Sequence, residues 1–148
     1  MEIERKFLIE SIPFDLSAYK CLHLEQGYIN TSPTVRIRKE DDEYYLTYKS
    51  SGLLSREEYN LPLDEKSYYH MRDKVDGHLI TKLRYLIPFG KYTIELDVFE
   101  APFAPLVYAE VEFETEEEAI SFTPPEWFGQ DVTYDKSYTN AALSSKEL

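Results

Sequence analysis

A single cysteine, Cys21, rules out a disulfide framework within the chain, and such a thiol reads as a small buried hydrophobe in a reducing compartment. No uncharged apolar run approaches the roughly 18 residues needed to span a bilayer. Charges fill residues 2 to 6, and no signal peptide is expected to open the chain. A cytoplasmic protein with no membrane partner is therefore expected. The histidines, His23, His70 and His78, are scattered without metal-ligand spacing. Positive charge is scarce: 16 Lys and Arg stand against 28 Asp and Glu, giving a net charge of −12. An acidic chain repels nucleic acid and anionic membrane, so no nucleic-acid partner is expected. No low-complexity segment, long linker or internal repeat divides the 148 residues, which fit one domain over 1–148.

What is present favours strands. Hydrophobic residues make up 43% of the chain, enough to exclude disorder, and tyrosine alone supplies 13 residues. Eight strands are predicted, over 2–9, 20–29, 34–40, 44–50, 55–63, 79–87, 91–99 and 107–114. Turn signals separate them, among them Glu40-Asp41-Asp42, Ser50-Ser51-Gly52 and Pro88-Phe89-Gly90. Three short helices are predicted: one over 64–74, one opening at Thr115 with Glu116, Glu117 and Glu118 in its first turn, and one after Tyr138.

Residues two apart share a face of a strand. Applied to each strand, this rule gathers the charges onto one face. The cations are Lys6, Arg36, Arg38, Lys49, Arg56, Lys82 and Arg84; the anions are Glu2, Glu4, Glu58, Glu95, Asp97, Glu110 and Glu112. The plain explanation of such alternation is a solvent-facing surface. Two features argue against it. The charges are sorted by sign rather than mixed, whereas soluble surfaces intersperse signs. Hairpin counting also sets like charges opposite one another: Asp97 against Glu110, Glu95 against Glu112 and Arg36 against Lys49. Such pairs are destabilising unless something neutralises them. A divalent cation would neutralise the carboxylates and a polyanion the Lys/Arg group, which together describe a metal–phosphate site. Period two establishes the charged face and leaves its direction, inward or outward, open.

These residues sit in a series of motifs. The chain opens with Glu2, Glu4 and Lys6 in MEIERKF. QGYI (26–29), RIR (36–38), LTYK (46–49), REEY (56–59), TKLRY (81–85), ELDVF (95–99), AEVEF (109–113) and DVTYDKSYTN (131–140) follow. In this order and over nearly the whole chain, the series resembles the CYTH superfamily, the triphosphate tunnel metalloenzymes. The resemblance implies a mainly β fold, a closed eight-stranded antiparallel β-barrel with a few short helices outside. It also implies that the charged face points inward. Many cations would then be sequestered, leaving an acidic exterior, and an apolar outer face that three short helices are too few to cover would favour a homodimer.

The resemblance implies roles as well. Glu2, Glu4, Glu110 and Glu112 are expected to hold Mg²⁺ or Mn²⁺, with Asp97 and Glu95 binding through water or orienting cations. Lys6, Arg36, Arg38, Lys49, Lys82 and Arg84 are expected to grip phosphate oxygens, with Arg56 joining them or pairing with Glu58. Lys82 and Tyr28 are the candidate acid–base pair, although the counted register sets Lys82 opposite Glu95, which would raise its pKa. Asp135 and Lys136 close the tunnel mouth or dock the tail, and Trp127 packs on the barrel. The implied activity is metal-dependent hydrolysis of a small triphosphate, foremost inorganic tripolyphosphate and also nucleoside triphosphates. The alternatives are a class IV adenylate cyclase, a thiamine triphosphatase and a non-catalytic polyphosphate- or nucleotide-binding module.

Overall fold

Strands dominate from the first residues. The computed structural model describes residues 1–146. Its strands are β1 (Glu2–Leu8), β2 (Lys20–Thr31), β3 (Thr34–Glu40), β4 (Glu43–Lys49), β5 (Ser55–Arg56), β6 (Glu58–Leu63), β7 (Asp76–Phe89), β8 (Tyr92–Phe99) and β9 (Val107–Glu112). They form one antiparallel sheet in the order β5-β1-β9-β8-β7-β2-β3-β4-β6. The terminal strands of that order are joined covalently through Glu57, so the sheet curls into a nearly closed barrel. The count is nine rather than eight because the segment 55–63 breaks at Glu57: its start pairs with β1 and its remainder with β4.

Two tight turns set the registers. Gly90, at φ 60°, allows a two-residue connection between Phe89 and Tyr92. Asp41, at φ 51°, does the same between Glu40 and Glu43, and Asp is among the few residues that tolerate this conformation. The hairpin centres therefore differ from those counted in the sequence. Glu95 faces Glu110 and Asp97 faces Tyr108; Arg36 faces Thr47; Lys82 faces Phe99 instead of Glu95. Each slip is an even number of residues, so no side chain changes face.

The helices are α1 (Glu65–Arg72), α2 (Glu116–Ser121) and α3 (Asn140–Ser144), with single 3₁₀ turns at Leu16–Ala18 and Lys136–Tyr138. Asp64, Thr115 and Thr139 cap the three α-helices by accepting from backbone N–H groups. The outward apolar residues of β1, β7, β8 and β9, including Ile3, Ile87, Ile94, Leu96 and Val111, are buried. Helices supply little of that cover. Aperiodic chain does most of it, through Ile12, Phe14, Tyr19, Phe122, Trp127 and Phe128. Trp127 stacks edge-on against Phe14 and Phe128, at 5.1 and 4.7 Å between ring centroids, in the packing role expected of it. Over β4 and β6 the cover is thinner, and Tyr48, Tyr59 and Leu61 remain exposed. Cys21 is exposed too, contrary to the buried thiol expected, because it lies on the outer face near the start of β2.

Inside, one end of the barrel is apolar. Tyr28, Ile80, Phe99, Phe103, Tyr108 and Leu143 pack together there. Leu143 arrives on α3, which lies against β7. Gly77 makes that docking possible: a Cβ there would lie 2.0 Å from the Ser144 carbonyl oxygen. Among the described residues no helix is long and apolar enough to cross a membrane.

Candidate active site

Beyond the apolar end, the barrel interior opens into a cavity of about 210 Å³. The sorted face lines it, so the charged side chains point inward. Six of the predicted phosphate ligands reach the cavity, Lys6, Arg36, Arg38, Lys49, Arg56 and Arg84, as do Glu2, Glu4, Glu110 and Glu112 of the predicted metal ligands and Tyr28 of the acid–base pair. Two predicted residues do not line it. Lys82 and Asp97 are wholly buried behind the wall, with Lys82 Nζ 2.7 Å from Asp97 Oδ2. Arg84 grips the same carboxylate through Nε and Nη2 at 2.8 and 2.9 Å. Both Asp97 oxygens are thus taken by cations, the arrangement of an orienting group.

The remaining ion pairs divide the cavity. Glu2 accepts from Lys49 at 2.9 and 3.0 Å and from Arg56 at 3.2 Å. Arg56 therefore pairs with Glu2, while Glu58 lies 3.3 Å from Lys49. Lys6 lies 3.8 Å from Glu110, and Arg84 is 3.0 Å from Glu95. Among the described residues, five charged lining groups are left without an ion-pair partner: the carboxylates Glu4 and Glu112, directly opposite one another across β1 and β9, the guanidiniums Arg36 and Arg38 on β3, and the carboxylate of Glu40 at the end of β3. The cavity thus carries an acidic pole at Glu4 and Glu112 and, on β3, a pole where two guanidiniums outnumber the one carboxylate of Glu40.

Protonation follows this division. Burial raises Glu4 well above the usual carboxylate range, and Glu110 and Glu2 push it further. Burial likewise raises Glu112, with Glu2 and Glu58 adding repulsion. Glu2 and Glu110 go the other way: burial opposes their charge, but Lys49 brings Glu2 down to about 2, and Lys6, Arg84 and Lys82 hold Glu110 well below the ordinary range. Burial, with Arg36 and Arg84 nearby, lowers Arg38 to about 10. Burial also lowers Lys82 to about 8; Asp97 opposes that shift and Arg84 reinforces it. The actual register thus overturns the expectation that Glu95 raises Lys82.

Every donor atom at the acidic pole is a carboxylate oxygen, which suits Mg²⁺ or Mn²⁺. Glu110 Oε1 is buried without a hydrogen-bond partner, and the protonated tendency of Glu4 marks a site short of positive charge. Among the described residues no three such groups converge into a ready-made cage. That also fits Mg²⁺, which takes one or two carboxylates and completes its shell with water and phosphate oxygens.

The model of the CYTH domain family matches residues 1–137. This chain belongs to the CYTH domain family. An inorganic triphosphatase of Nitrosomonas europaea is 42% identical to it over 149 residues, spanning 97% of this chain and 96% of its own. An inorganic triphosphatase of Acetivibrio thermocellus is 36% identical, covering 96% of this chain and 92% of its own. The crystal structure of an inorganic triphosphatase superposes on the barrel with a TM-score of 0.73 at 36% identity, covering 99% of this chain and 96% of that one. The triphosphate tunnel enzymes of the CYTH family are metal-dependent.

Sequence reasoning missed several lining residues. Thr34 and Asn60 lie on the charged faces but carry no sign to be sorted, and Glu40, at the end of β3 beside the turn at Asp41, reads in the sequence as part of a turn signal. Thr139, Asn140 and Ala141 come from the tail, where no strand period announces them. Asp135 caps the Lys136–Tyr138 turn through Ser137, and Lys6 Nζ donates to the Tyr138 carbonyl, so this motif docks the tail on the barrel.

Proposed function

We propose that this chain hydrolyses inorganic tripolyphosphate in the barrel cavity with Mg²⁺ or Mn²⁺. The observation that carries this reading is the separation of the two poles. A triphosphate with a bound divalent cation presents both signs at once and satisfies both poles together. Glu4 and Glu112 are the principal cation ligands, with Glu110 beside them, while Glu2 orients Lys49 and Arg56. The cation supplies charge neutralisation and a water of lowered pKa. Arg36 and Arg38 bind phosphate oxygens in forked contacts, and Lys6, Lys49, Arg56 and Arg84 add charge around them. Asp97 and Glu95 set the direction of Arg84. Lys82, lowered to about 8, and Tyr28, on the cavity wall, are the candidates for moving a proton.

Tyr28 is the one aromatic side chain among the cavity-lining residues described. A cyclase would need a seat for adenine and a thiamine triphosphatase a platform for its rings, so the bare polyphosphate is favoured over both. The carboxylates argue against a purely anion-binding module, which has no use for a negative pole. Incubation with tripolyphosphate, ATP and thiamine triphosphate, with and without each metal, tests the reading. Metal-dependent phosphate release, greatest from tripolyphosphate, is expected; cyclic AMP as the main product would contradict it. A homodimer over the exposed Tyr48, Tyr59 and Leu61 belongs to the same proposal, and light scattering that returns the 17.4 kDa monomer mass would remove it.

A further inference from the structure

Arg38 owes its orientation to a neutral group. Gln26 lies directly across from it on β2, wholly buried. Its Oε1 accepts from Arg38 Nε at 3.0 Å and from Nη2 at 2.9 Å, one oxygen closing the guanidinium fork where a carboxylate would normally offer two. The amide orientation follows from chemistry, since the reverse would set NH₂ against two N–H donors. On the neighbouring position of β3, Arg36 is treated alike: Nη2 donates to the Thr47 hydroxyl at 3.3 Å, and its buried Nε has no partner. Arg84, by contrast, is held by the carboxylates of Asp97 and Glu95.

The geometry points to Gln26 as a positioning residue that fixes Arg38 in the cavity wall through an uncharged acceptor, keeping the guanidinium charge available to an anionic substrate. This inference rests on the triphosphate reading above. A glutamate at the same position would hold Arg38 at least as firmly, having the same shape and stronger hydrogen bonds. It would also cancel the charge that the substrate is meant to meet. Fixing the side chain and neutralising it are thus separable, and the choice of amide over acid is the specificity device. Gln26 Nε2, buried without a partner, adds a second donor rather than a second acceptor at this pole.

Two variants separate the roles. Gln26→Glu keeps the grip and removes the free charge; Gln26→Met removes the grip and keeps neutrality. Steady-state kinetics with tripolyphosphate and thermal melting are measured for both and for the parent. For Gln26→Glu, KM is expected to rise about tenfold or more, the size of one charge-assisted contact, with kcat within about twofold and the melting temperature kept. For Gln26→Met, a smaller rise in KM is expected. A KM for Gln26→Glu within about twofold of the parent, or below that of Gln26→Met, overturns the inference. If Gln26→Glu fails to fold, Gln26→Met decides: an unchanged KM refutes the positioning role and a several-fold rise supports it. A parent protein that neither binds nor hydrolyses tripolyphosphate overturns the functional reading and this inference together, whereas an active parent with indifferent variants overturns this inference alone.

Discussion

Replacing Asp97 with Asn removes one negative charge from a wholly buried cluster and changes almost nothing in shape. Lys82 Nζ at 2.7 Å and Arg84 Nε at 2.8 Å would lose their shared counter-ion. Lys82 is 0% exposed and Arg84 8%, so water cannot take over the missing role. Breaking a buried pair by removing one partner costs about 3–5 kcal/mol, because the remaining charge stays desolvated. For a domain of this size about 2–4 °C of melting temperature accompanies each kcal/mol, giving a fall of about 6–20 °C. The loss should be insensitive to added salt, since buried pairs are little screened. Thermal unfolding followed by circular dichroism at low and high ionic strength measures it. A fall of less than about 3 °C, or one that salt abolishes, would refute the buried counter-ion reasoning.

Three further outcomes follow from the protonation pattern. Glu4 is raised, so a cation binding there must displace its proton. Mn²⁺ affinity should therefore climb as pH rises through the Glu4 titration and flatten in Glu4→Gln; calorimetry in buffers of different ionisation enthalpy detects the released proton. Glu2 is lowered from 4.5 to about 2 in the folded chain, so its contribution is present above 4.5 and lost as pH falls towards 2. That contribution is on the order of 3 kcal/mol, and Glu2→Gln should flatten the acid limb of denaturant stability between those values. If Lys82, lowered to about 8, takes the proton in hydrolysis, kcat/KM should rise through an ionisation near that pH; Lys82→Ala should abolish the rise and most of the turnover, and near-normal turnover in that variant would exclude the role.

The alternation of charge was legible because period two survives any even slip of register. That is why every charged residue assigned to that face was placed correctly although three hairpins were counted about the wrong centre. The centres themselves were hidden, because Asp41 and Gly90 each sit beside other turn formers, and only backbone φ distinguishes which of them makes the turn. The direction of the charged face came from the family resemblance; alternation alone fits either orientation. The cover of the outer face was misjudged for a different reason. Helices advertise themselves by period, whereas Phe14 and Trp127 act from irregular chain. Gln26 was invisible as a site residue because an uncharged side chain gives no sign to sort. Its meaning appears only with Arg38 across from it.

Two separate poles inside one barrel form the proposed seat of the metal-bound triphosphate. A crystal grown with Mn²⁺ and tripolyphosphate, examined by anomalous scattering at the manganese edge, tests it most directly. The expected result is manganese beside Glu4 and Glu112 and phosphate oxygens on Arg36 and Arg38 within the same cavity. Manganese and polyphosphate bound on the outer surface, with the barrel interior unchanged, would contradict it.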